Sequence, residues 1–269
     1  MSDKEDGSDG VLQQPSESGR EDAPSSGERL RLLDLFCCAG GAGRGYADAG
    51  FEVVGVDIEP QPRYPFTFIQ ADALALPLDF LRSFDAIHAS PPCQGYSPMR
   101  HAPGGKEHPR LIGATRALLE AAGVPWVIEN VEEARSEMRS PVMLCGTSFG
   151  LGTQGHDLQR HRLFETSFPL TAPPCEHSGR PVVGVYGGHA RNRSAKHGGR
   201  GTRDVWEGGH VAACQEAMGI DWMTLDQISE AIPPAYTRFI GTILGGLLLT
   251  NGAARVQTTP AAMDNGLTT

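Results

Sequence analysis

The chain has 269 residues, enough for one large domain or for one domain with a small appendage. Hydrophobic residues make up 39% of it, so a buried core is feasible, and 34 Gly with 20 Pro imply many turns. The formal net charge is -9, but residues 1–28 hold eight acids against Lys4 and Arg20, leaving about -3 for the rest, so no broadly basic surface is expected.

In chain order, residues 1–28 come first. They lack aromatics and are rich in Ser, Gly and Pro, so they are expected to form a disordered acidic tail. Four short apolar runs follow: Leu30–Phe36, Glu52–Asp57, Phe66–Gln70 and Phe84–Ala89. Trp126–Asn130 is a fifth. Helical stretches fit at Arg44–Ala49 and Leu111–Ala122. Strands alternating with helices predict a parallel sheet, and nearly continuous apolar runs predict strands covered on both faces. Past Asn130 the pattern loosens, and residues 171–203 show no period. Further helices are expected at His210–Met218, Thr224–Ala231 and Ala235–Leu249.

The same pass sets aside several classes. Residues 1–28 contain no apolar segment of the kind a secretory signal needs. The longest apolar run, Phe239–Leu249, is too short to span a bilayer and reads as a buried helix. The six cysteines (37, 38, 93, 145, 175, 214) include no CxxC pair, so no metal is expected. Reduced thiols and a cytoplasmic location follow. The expected organisation is the tail, a core domain over 29–164, a small segment over 165–215, helices over 216–250 and a flexible end over 251–269.

Three places carry chemistry. The first strand runs from Asp34-Leu35-Phe36 into a turn with Gly40, Gly41 and Gly43, then into a helix. Such a turn lets a ligand approach the backbone, and the helix N-terminus offers N–H groups. Asp57 ends the second strand 23 residues after Asp34, where a carboxylate can accept two ribose hydroxyls; Ile58 follows it. Asp72, followed by Ala73, lies just after the third strand and can either accept from an adenine amine or cap a helix.

The fourth strand feeds Ser90-Pro91-Pro92-Cys93-Gln94, continuing to Ser97. Two prolines fix the backbone and present Cys93 at the carboxyl end of a strand, where open α/β sheets place their sites. The fifth strand ends at Glu129-Asn130-Val131. A carboxyl partly buried there has a raised pKa and can carry a proton. Arg160 and Arg162 would share one face if Gln159–Phe164 is a strand. Two guanidiniums on one face suit a phosphate or a carbonyl oxygen, and positive charge there would help form the Cys93 thiolate.

In this order the motifs resemble the DNA cytosine-5 methyltransferase family, in its compact phage and bacterial form. The resemblance runs from about Leu30 to Leu249. It rests on Asp34-Leu35-Phe36 with its glycines, Pro92-Cys93-Gln94, Glu129-Asn130-Val131, Arg160-His161-Arg162 and Ala231-Ile232-Pro233-Pro234-Ala235. It implies a Rossmann-like α/β methyltransferase fold with a small, irregular target-recognition segment. It implies S-adenosylmethionine, bound by Phe36, Gly40, Gly41, Gly43, Asp57, Ile58, Asp72, Ala73 and Pro91. Cys93 would attack C6 of a flipped cytosine, Glu129 would hold and protonate N3, and Arg162 would hold the base carbonyl or an adjacent phosphate, with Arg160 counted among the catalytic residues.

Double-stranded DNA is the implied partner, met by a monomer through Gln94, Ser97, Arg191, Arg193, Lys196, Arg200 and Arg203. From Glu176 to Arg203 six Lys or Arg face one acid, which suits phosphate contacts. The chain departs from the family pattern at Leu158, where a Gln is usual, and at Ser229-Glu230, where Gly-Asn is usual. A tRNA-acting cytosine-5 methyltransferase, an inactive DNA-binding protein and a Rossmann oxidoreductase are the competing readings. The last would leave Pro-Cys-Gln and Glu-Asn-Val without a role.

Overall fold

Residues 29–96, 108–185 and 206–257 are described in the computed structural model, the last seven by their backbone alone. The strands are β1 (Arg31–Leu35), β2 (Glu52–Asp57), β3 (Thr67–Gln70), β4 (Ala86–Ala89), β5 (Trp126–Asn130), β6 (Val142–Leu144), β7 (Gly152–Thr153), β8 (His156–Asp157) and β9 (Arg162–Thr166). The helices are α1 (Gly41–Asp48), α2 (Leu78–Leu81), α3 (Ile112–Ala122), α4 (His210–Met218), α5 (Leu225–Glu230) and α6 (Pro234–Gln257). The five expected strands are all present, trimmed by a residue or two where β1, β3 and β4 fray. The last helix runs past its expected end at Leu249 to Gln257.

Seven strands form one sheet in the order β3-β2-β1-β4-β5-β9-β6. β1 to β5 are parallel, and β9 is antiparallel to both β5 and β6. This is a Rossmann-like α/β fold. Its core follows from the period of the strands. Leu33, Leu35, Val54, Val56, Ile87 and Ile128 face one side, under Ile112 and Leu119 of α3. Leu32, Val53, Ala86, Val127 and Phe164 face the other, under Tyr46 of α1 and Tyr236, Ile240 and Leu244 of α6. Because both faces are covered, the strands read as continuous apolar runs.

A third cluster lies beyond the sheet. Leu158, Val183, Val185 and Trp206 pack with Ala213, Ala217 and Met218 of α4 and Ile228 of α5. α5 begins at a capping box in which Thr224 Oγ1 accepts from Gln227 N–H and Gln227 Oε1 accepts from Thr224 N–H. Among the described residues no helix is long and apolar enough to cross a membrane.

Strand order reverses at β1, which has β2 on one side and β4 on the other. The turns leaving the carboxyl ends of these strands therefore part and open a crevice. The antiparallel direction of β9 adds a residue that sequence order hides. Asn130 at the end of β5 sits opposite Leu163, so Arg162 lies at the same end of the sheet.

Candidate active site

The loop after β4 is held from three sides. Ser90 N–H donates to the Leu35 carbonyl at 3.1 Å, and Tyr96 N–H donates to the Cys93 carbonyl at 3.0 Å. Asn130 Nδ2 donates to the Pro91 carbonyl at 2.8 Å, while Asn130 Oδ1 accepts from Val131 N–H at 3.0 Å. Asn130 thus ties the end of β5 to the cysteine loop. Cys93 is partly exposed at its tip, Gln94 is exposed beside it, and Pro91 is buried beneath. Ser97 lies outside the described residues.

Glu129 is buried, and Arg162 Nε stands 3.2 Å from its Oε1. Arg162 also donates to the His161 carbonyl at 2.8 Å. Burial pushes the Glu129 carboxyl above its ordinary value, against the opposing pull of Arg162 and a hydrogen bond from Ser90. Burial likewise raises the Cys93 thiol, and Glu129 and Glu230 add to the rise while Arg162 opposes it. The positive charge expected to help the thiolate is present in Arg162, but one guanidinium does not offset burial and two carboxylates.

Arg160 departs from its expected place. β9 begins at Arg162, so the two arginines do not share a strand face. Arg160 is buried, and its donors reach the carbonyls of Ala231, Val185 and Ser229 at 3.1, 2.9 and 2.7 Å. Three carbonyl oxygens take up the guanidinium. Its role is to join the sheet to the chain entering α6, rather than to hold a base.

The sequence reading missed a buried relay under the loop. Tyr46 Oη lies 3.0 Å from His88 Nδ1, and His88 Nε2 lies 2.8 Å from Ser90 Oγ. Ser90 in turn bonds Glu129. Burial pushes His88 down to about 3, so the ring is neutral at working pH. A tyrosine proton on Nδ1 leaves Nε2–H facing Ser90, which frees the Ser90 proton for the carboxylate. A histidine inside the apolar run Ala86–Ala89 was the signal available in the sequence. Ser90→Ala removes the link to Glu129. We expect kcat of the reaction at this site to fall about ten-fold, the loss of one hydrogen bond worth about 1.4 kcal/mol, with little change in KM. Steady-state kinetics check this.

The other half of the crevice is the turn after β1. Phe36 and Cys38 both have left-handed backbones, at φ 57° and 44°. Non-glycine residues held there store strain, of about 1–3 kcal/mol each, and such strain gathers at ligand sites. Gly40 at φ 89° is the N-cap of α1. Gly41 admits the returning chain: a Cβ there would meet the Ile232 carbonyl at 2.5 Å. The segment Ala231–Ile232 thus closes over the glycine turn. Gly43 packs against Asp34 and Tyr64. These glycines serve close packing.

Asp57 is buried at the tip of β2. Its Oδ2 accepts from Cys38 N–H at 2.9 Å and its Oδ1 from Glu59 N–H at 3.0 Å. Each oxygen keeps a second lone pair. Ile58 beside it is 63% exposed, unusual for a large apolar residue flanking a buried acid. Asp72 caps the short 3-10 turn Ala73–Ala75, with Oδ1 accepting from Leu74 N–H at 2.9 Å, which is the capping role. Ala73 is buried. A carboxylate next to an uncovered apolar side chain is what a nucleoside needs for its ribose hydroxyls and one face of its base.

Asp34 lies under this turn. Tyr64 Oη donates to its Oδ2 at 3.1 Å, while Oδ1 is buried with no hydrogen-bond partner. Burial pushes its carboxyl from the ordinary 3.8 to about 7, against bonds from Tyr64 and Gly43. The folded state therefore holds this proton more tightly than the unfolded state. The stability it contributes is complete below pH 4 and is lost as pH rises towards 7, by about 4 kcal/mol. Asp34→Asn removes that dependence. We expect the Tm of the variant relative to the parent to climb between pH 4 and 7 and then level. An offset that does not vary with pH contradicts the assignment.

Arg191, Arg193, Lys196, Arg200 and Arg203 lie outside the described residues. Two surface hollows lie away from the crevice. One is lined by Arg44, Gln215 and Trp222, the other by Phe51, Gly241 and Leu249.

No family model matches the chain, and no curated protein does. Among solved structures it is similar to an Escherichia coli prophage protein described as a DNA modification methyltransferase, at 24% identity and a TM-score of 0.37, over 50% of this chain and 45% of that one. It is similar to a Spodoptera frugiperda DNMT2 mutant at 17% identity and a TM-score of 0.36, over 56% and 57%. It is similar to the S. pombe Dnmt2 methyltransferase at 14% identity and a TM-score of 0.48, over 82% and 99%. The chain spans about half the length of the first two.

Proposed function

We propose that the protein is a cytosine-5 methyltransferase acting on double-stranded DNA, with Cys93 as nucleophile and S-adenosylmethionine as donor. The observation that carries this reading is the convergence of Cys93, Glu129 and Arg162 at one end of the sheet, beside the strained turn after β1.

Cytosine C5 is a weak nucleophile, so the ring needs activation first. Cys93 forms a bond to C6 through its thiolate. Glu129, whose hold on a proton burial strengthens, gives a proton to N3, so the electron pair released into the ring settles on C5 as an enamine. Arg162 holds the Glu129 carboxylate in place through one nitrogen and has other donors for the base carbonyl. Asp57 and Ile58 would hold the ribose and adenine of the donor. When bound, the donor supplies an electrophilic methyl group on a sulfonium. A base then removes the C5 proton, the S–C6 bond breaks, N3 returns its proton to Glu129, and Cys93 returns as thiolate. The target has to leave the stack to reach this crevice. The basic run from Arg180 to Arg203 supports DNA as the partner through phosphate contacts.

The test is a duplex carrying 5-fluorocytosine, whose C5 fluorine cannot leave as a proton. With the donor present, the protein should form a complex stable to denaturant, linked at Cys93 by peptide mapping. A duplex that gives none, while a fluorinated RNA is trapped, transfers the reading to RNA. Trapping of neither contradicts it.

A further inference from the structure

We infer that the protein carries a structural zinc site, with Cys145, His161, Cys175 and His177 as ligands. The absence of a CxxC pair predicts no metal, yet the fold brings these four residues to one point. Their ligand atoms all lie within 4.8 Å of one another. Cys175 Sγ is 3.3 Å from His177 Nε2 and 3.5 Å from His161 Nε2, and Cys145 Sγ is 3.6 Å from His177 Nε2. Around tetrahedral zinc, with bonds of about 2.3 Å to sulfur and 2.0 Å to nitrogen, sulfur and nitrogen ligands stand roughly 3.5 Å apart. Two thiolates and two imidazoles are a soft set that favours zinc over magnesium or calcium.

The surrounding groups agree. Glu132 Oε2 lies 3.3 Å from His161 Nδ1, so that nitrogen holds the proton and Nε2 turns its lone pair to the cluster. Thr147 Oγ1 lies 3.1 Å from Cys145 Sγ and can donate to a thiolate. The His161 and His177 rings stack at 12° with centroids 5.4 Å apart.

The position explains a use. Cys145 follows β6, His161 precedes β9, and Cys175 and His177 lie in a stretch after β9 without regular structure. One ion would pin that stretch to the sheet edge. His161 precedes Arg162 and accepts from its guanidinium, so the clamp would also steady the partner of Glu129. Binding exchanges two thiol protons for one divalent ion, with no redox step.

The test uses the full chain, purified reduced from zinc-supplemented medium. Elemental analysis should give one zinc per chain. Cobalt(II) in its place should show tetrahedral d–d bands and a thiolate charge-transfer band. His177 is exposed, so His177→Ala should fold and lose the zinc, and Glu132→Gln should weaken affinity roughly 10- to 100-fold. Absence of zinc and of a cobalt–thiolate band, a different metal at one equivalent, full occupancy in His177→Ala, or a Cys145–Cys175 disulfide in its place would each overturn the site. None of these readouts depends on methyl transfer, so the zinc site and the proposed activity stand or fall separately.

Discussion

On the proposed function, Cys93→Ser should abolish methyl transfer and leave donor binding within two-fold of the parent. A serine hydroxyl at this site would have to ionise in the same half-buried setting that already raises the thiol, beside Glu129 and Glu230. Its intrinsic acidity is far lower, so the attacking anion is not formed. Donor affinity should be preserved because the groups proposed to hold the donor, Asp57 and Ile58 beside the turn after β1, lie outside the Cys93 loop. Normal turnover by Cys93→Ser contradicts the covalent route, and so does loss of donor binding in step with activity.

The same environment sets the pH profile. The thiol is raised, so the rate of covalent attack should climb with pH through and above neutrality as the thiolate fraction grows. Ionisation of Glu129, which the proposed route uses as an acid, opposes that climb. Glu230→Gln removes one of the charges that raise Cys93, and the rising limb should move to lower pH.

Arg160→Met lowers stability by about 3–5 kcal/mol. The substitution keeps most of the volume but removes three charged hydrogen bonds and strands the carbonyls of Val185, Ser229 and Ala231. For a chain of this size the Tm should drop on the order of 10 °C by calorimetry. The Tyr46 network is 3.0 Å bonds of another element, so the loss should centre on the chain entering α6, seen as faster amide exchange there. An unchanged Tm with abolished activity would restore Arg160 to a role on the base.

How far the sequence carried this reading depends on the distance over which each feature is encoded. β1 to β5 were legible because each is an apolar run between breakers, and parallel strands buried on both faces need no partner to be recognised. Cys93 and Glu129 were legible as groups at strand ends, where the open sheet places its crevice. β6 to β8, with three, two and two residues, were not, since so short a strand exists only through its pairing.

Long-range packing hid the rest. Arg160 looked like half of a surface pair because its partners lie 25 to 71 residues away. Asp72 offered two roles, and of these the first turn after β3 shows the cap, made with Oδ1. The four zinc ligands sit at 145, 161, 175 and 177, a spacing no local pattern marks. Only the antiparallel entry of β9 beside β6 brings the first two together.

The most direct measurement is incubation of the protein with duplex DNA and methyl-labelled S-adenosylmethionine, digestion to nucleosides, and identification of the labelled base by mass spectrometry. Label in 5-methylcytosine, lost with Cys93→Ala, is the predicted result. Label in any other base, label retained by Cys93→Ala, or no label in DNA would contradict the account.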